Sequence, residues 1–135
     1  MNVTRIILAA LAATVVYFII GGLVFTRASM RNEFMKYQSV YRSQEAMKGV
    51  MPIGMIGMLL SMLALAVLFA MVHPAGGSVA AGAEFGAIVG VYAVGSFVLH
   101  NHVNLNIGAK LTAYQAIAYF VEWVAVGVVI SRVYR

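Results

Sequence analysis

The sequence predicts an all-α fold: an integral membrane bundle of four transmembrane helices, with an amphipathic interfacial helix between the first and the second. Two observations carry this reading. The chain has 135 residues, of which 63% are hydrophobic and only 10% charged, a balance foreign to soluble domains and incompatible with a water-soluble enzyme. Four nearly uncharged runs are also each long enough, at about 1.5 Å per residue, to cross a hydrocarbon core of about 30 Å.

The first run, Ile6 to Phe25, holds 20 uncharged residues. It is longer than the apolar region of a typical signal peptide, so it is read as a retained helix. The second, Val50 to Val72, has Pro52 near its expected start, where a missing N–H costs little. Met51, Met55, Met58 and Met62 lie along one side of it. Thioethers can ligate Cu(I), but the simpler reading is that they fill irregular interhelical gaps. The third run, Val79 to Leu99, carries Gly82, Gly86 and Gly90 at every fourth position, a ridge on which another backbone can approach closely. That backbone belongs either to the same chain or to a second subunit. The fourth run, Leu111 to Ser131, completes a single membrane domain over residues 1–135.

The connections differ in kind. His73 to Ser78 is short and rich in helix breakers, which makes the second and third spans antiparallel neighbours. The His100 to Lys110 link is also tight. The first link carries Met30, Phe34, Tyr37 and Tyr41 at spacings i, i+4, i+7 and i+11, amid Arg27, Arg31, Glu33, Lys36, Arg42, Glu45 and Lys48. This pattern predicts an amphipathic arm over about residues 29–48 lying in the headgroup plane. The net charge of +5 is spread between apolar runs and forms no continuous basic face, so nucleic acid is not an expected partner. The bilayer is. The first and third links hold six Lys and Arg residues against three at the termini, which puts the arm in the cytoplasm and the termini outside, as in a bacterial inner membrane.

Two charges fall inside spans, Glu84 and Glu122. Near a bilayer midplane a carboxylate costs on the order of 3 kcal/mol or more, so Glu122 must be neutral, paired or wet. Gln115, Tyr119 and Glu122 share one helical face, and Tyr92, Ser96 and His100 share another, nearly opposite the glycine ridge. Together with Glu84 these residues form a candidate intramembrane polar path. The same groups can instead serve as hydrogen-bonding glue between helices. His100 and His102 would point the same way in an extended strand and could then chelate a metal or contribute to a haem site, whereas in a helix they diverge by about 200°. The chain has no Cys and no HExxH, phosphate-loop or nucleophile-elbow motif. No resident cofactor and no catalytic residue are therefore expected.

The plan of the chain resembles a family of small bacterial four-helix membrane proteins classed as a domain of unknown function. The resemblance lies in the Ala-rich first helix ending in Gly21-Gly22 with Phe25 after it, the basic link, the Gly-rich third helix, and the Asn-containing turn before a final helix with a Tyr and small residues. It implies a fold and no catalytic residues. The expected function is a non-enzymatic assembly or accessory subunit, a homo-oligomer or part of a larger membrane complex, packing through the third helix. The alternatives are a proton- or cation-coupled transporter centred on Glu122, and a metal- or haem-binding redox subunit using His100 and His102.

Overall fold

A computed structural model describes residues 1–135 and is all helical. Helix α1 (Val3–Phe25) opens on Asn2, whose side chain accepts a hydrogen bond from the Arg5 amide at 3.1 Å, which carries the helix three residues ahead of the apolar run. Helix α2 (Ala28–Met35) follows. Helix α3 (Gln44–Val72) is capped by the Ser43 hydroxyl, which accepts from the Ala46 amide at 3.2 Å. Helix α4 (Val79–Ala93) runs through a π-helical segment, Val94–Leu99, into the short α5 (His100–Asn104). Helix α6 (Ala109–Val133) ends the chain. Four helical stretches, Val3–Phe25, Gln44–Val72, Val79–Asn104 and Ala109–Val133, are long and apolar enough to cross a membrane.

Four expectations change. The second and third spans, α3 and α4, are joined by a short link but are not packed neighbours along their length, because α6 and α1 lie between them. The arm is not one helix over 29–48, because turns occupy residues 36–40 and Ser43 nucleates α3 afresh. Of the expected stripe, Met30 is buried and Phe34, Tyr37 and Tyr41 pack with it onto Ile107, Leu111 and Ala118 of the chain itself. The arm therefore folds over the start of α6. Pro52 lies inside α3 rather than at its start, so it has no N–H to offer the Lys48 carbonyl. Finally, the third span continues helically to Asn104, which leaves only residues 105–108 as its link to α6.

The glycine ridge meets α6 of the same chain. A methyl group at Gly82 would strike Ser131 and the Gly127 carbonyl, and one at Gly86 would strike the Trp123 carbonyl and come within 2.8 Å of Val124 Cα. Gly127 reciprocates against Gly82 and Gly86. These glycines let two backbones touch, which leaves no room in the seam for a larger residue at Gly82, Gly86 or Gly127. The ridge is thus already occupied and is not a free face for a second subunit. On the other flank of α6 lies α1, followed by the second half of α3, around a core of Ile6, Ala10, Met62, Phe69, Val126 and Ile130. The chain turns between α3 and α4 at Gly76, whose φ of +89° is a left-handed conformation suited to glycine. The first half of α3 stands apart, with Met51, Ile53, Met55 and Ile56 exposed. The Met row is accordingly split: Met62 is core, Met58 half-buried, and Met51 and Met55 lie outside.

Candidate functional site

Glu122 is the fourteenth residue of the 25-residue α6, near the middle of the helix. Its exposure is 0%, and neither carboxylate oxygen has a hydrogen-bond partner. The space it fills is created by Gly21 of α1, where a methyl group would come 2.8 Å from Oε1. Tyr17, one turn earlier on the same face of α1, packs its ring on Trp123 at 5.5 Å. Tyr119, one turn before Glu122, is held between Phe25 at 5.9 Å and Phe97 at 5.5 Å. The Tyr17 and Tyr119 side chains lie within electrostatic reach of each other and of Glu122.

From there polar groups continue toward the arm. Tyr119 is within reach of Tyr41, and Gln115 Nε2 is 3.5 Å from the Tyr41 hydroxyl. One turn further on, Thr112 donates to the Gly108 carbonyl at 3.2 Å, and its Oγ1 lies 2.9 Å from His102 Nδ1. Thr112, Gln115, Tyr119 and Glu122 are spaced 3, 4 and 3 residues apart on α6, which is one helical face about 15 Å long. Past Glu122 the same flank turns to Val126 and Ile130, both sealed in the core. The row is polar toward the arm, where Thr112 and Gln115 are themselves buried, and apolar toward the termini.

The structure brings together Glu122, Tyr119 and Gln115 and leaves out the other members of the expected path. Tyr92 is 74% exposed, while Ser96 is exposed and donates to the Tyr92 carbonyl at 2.7 Å. With Glu84, also exposed, they lie on the outer side of the third span. The reason is geometric: Gly90 and Tyr92 are about 200° apart, so a ridge turned onto α6 turns the tyrosine away. His100 and His102 are helical and diverge, and no three His, Asp or Glu side chains come together in a metal-sized group.

Sequence reasoning missed Tyr17, Gly21 and Thr112 as members of the site, and Tyr41 as its polar link. The spacing of Thr112 to Gln115 and of Tyr17 to Gly21 was legible, but which face of α1 meets α6 was not. It also missed Glu33. This buried carboxylate takes Lys36 at 2.8 Å and Lys110 at 2.9 Å, so it pins α2 to the start of α6. Hydrogen bonds from Lys36 and then Lys110 hold its pKa below the usual carboxylate value.

No curated protein and no solved structure matches this chain. A family model does, over residues 8–131, a stretch that takes in most or all of each of the four long helices and the whole Glu122 row. The chain belongs to the DUF1761 family, described as proteins of unknown function.

Proposed function

We propose that this protein is a small, non-enzymatic, proton-coupled membrane carrier, with Glu122 as its proton-binding group. The observation that carries the reading is the fully buried, unpartnered Glu122 carboxylate at the end of a polar row that reaches the arm. An ionised carboxylate in that closed setting costs on the order of 3 kcal/mol or more, while the neutral acid needs only one acceptor for its proton. Protonation therefore favours α1 closed on α6, and loss of the proton favours separation at Gly21, where the α6 side chain that meets the glycine is Glu122 itself. Two packings biased by one proton are the minimum that coupling requires. The proton enters along Thr112, Gln115, Tyr41 and Tyr119. The excess of Lys and Arg near the arm supports a cytoplasmic entrance, with the termini outside, as expected for a bacterial inner membrane.

The test is proton uptake into liposomes loaded with a pH-sensitive dye under an imposed gradient. Flux should be present in the wild type and lost in Glu122→Gln, a neutral near-isostere. Equal flux in both would remove Glu122 from the mechanism.

A second reading, a homo-oligomeric or accessory subunit of a larger membrane complex, is favoured by a different observation. The first half of α3 packs on nothing in its own chain, and Gly49, Gly54 and Gly57 there have no neighbour within 4 Å. Cross-linking through Gly54→Cys in native membranes would trap a partner if this reading holds, and would yield only monomer if it does not.

A further inference from the structure

Beside the arm, on the face of α6 turned away from the Glu122 row, two open grooves meet. The first, of about 220 Å³, lies between the end of α1, the start of α2 and α6, and is lined by Val24, Arg27, Ser29, Tyr114, Ile117 and Val121. Its polar groups, Arg27 and Ser29, are at the level where α1 leaves the apolar layer. Its apolar wall runs about 10 Å deeper from Tyr114 to Val121. The second groove, of about 460 Å³, lies between α6 and the π-helical segment, is lined by Val94, Leu99 and Phe120, and shares Ile117 and Val121 with the first. The pair thus has one cationic head and two apolar branches.

Arg27 is exposed and no carboxylate of the chain pairs with it, since the ion pairs formed are Lys36 and Lys110 with Glu33. Arg31, also exposed, follows one turn later on α2. A planar guanidinium matches a phosphate diester through two parallel hydrogen bonds. At the headgroup level the complementary charge available to it is an anionic lipid.

We propose that this double groove is a binding site for one anionic phospholipid, with its phosphate on Arg27 and its acyl chains along the branches that meet at Ile117 and Val121. The lipid would fill the outer wall of α6 and brace the joint between α1 and α2. This site is independent of Glu122, and neither proposal rests on the other.

The test uses the full chain extracted from nanodiscs of equal parts phosphatidylglycerol and phosphatidylcholine, with retained lipid counted by native mass spectrometry. One phosphatidylglycerol per chain is expected, reduced about fivefold in Arg27→Gln and unchanged in Arg135→Gln, a cation remote from the groove. Val121→Trp, which fills the junction, should lower retention of both lipids. Should that variant fail to fold, the exposed Arg27→Gln still decides the matter. Equal retention of the two lipids, equal retention by wild type and Arg27→Gln, or displacement of the lipid by inorganic phosphate alone would each overturn the proposal.

Discussion

The two flanks of α6 are built on opposite principles. Against α4 the contact is backbone on backbone at Gly82, Gly86 and Gly127, with only the small Ser131 side chain beside Gly82. Against α1 the contact is made by side chains, and one stretch of it is polar: Tyr119 and Glu122 face Tyr17 and Gly21. A seam of glycines has nothing to rearrange, whereas a seam holding an unpartnered acid is stable in one protonation state and strained in the other. In the proposed mechanism one helix thereby joins a fixed half of the molecule to a half that moves. The comparison also assigns the glycine ridge to folding rather than to assembly.

The sharpest way to break the contrast is Gly86→Leu. Its side chain would meet the Trp123 and Val124 backbone, which cannot yield as a flexible side chain can. A loss of about 3 kcal/mol or more is expected, at the upper end for overpacking, read as a large fall in the midpoint of unfolding in detergent. Gly21→Ala on the other flank should cost only about 1 kcal/mol, because the atom it meets is the end of the Glu122 side chain. Combining it with Glu122→Ala should relieve that cost, and a double-mutant cycle measures the coupling. Gly54→Ala, on the free half of α3 with nothing within 4 Å, should be neutral or stabilising by up to about 1 kcal/mol.

The arm responds to pH through Glu33. Its pKa is lower in the folded chain than in the unfolded one, so its contribution is fully present above the unfolded value of about 4.3. It is lost as pH falls through the folded value. A spin label at Ser39→Cys should therefore stay constrained from neutral pH to about 5 and loosen only in more acidic buffer. In Glu33→Gln the label should be mobile throughout.

Much of this was readable from residue order. Span positions follow from uncharged length, and Glu122, Tyr119 and Gln115 fall on one face by spacing alone. The rest depended on which faces meet. Tyr92 and Ser96 look like path residues until the ridge opposite them is turned onto α6. The arm reads as a membrane-surface helix until Met30, Phe34 and Tyr41 are seen to pack on Ile107 and Leu111. Glu33 reads as one solvated charge among many, because its partner Lys110 is distant in sequence. Periodicity fixes which residues share a face, and tertiary packing decides where that face looks.

The central claim is that the α1 flank of α6 is a polar route open to the arm side and closed below Glu122. The chain has no native cysteine, so single cysteines can be placed along α6 without removing any other thiol. In oriented membrane vesicles, a charged thiol reagent on the arm side should label Thr112→Cys fastest, Gln115→Cys more slowly and Tyr119→Cys slowest. Val126→Cys and Ile130→Cys should remain unreactive from either side. Uniform protection at all five positions, or reaction at Val126→Cys and Ile130→Cys from the side of the termini, would contradict the account.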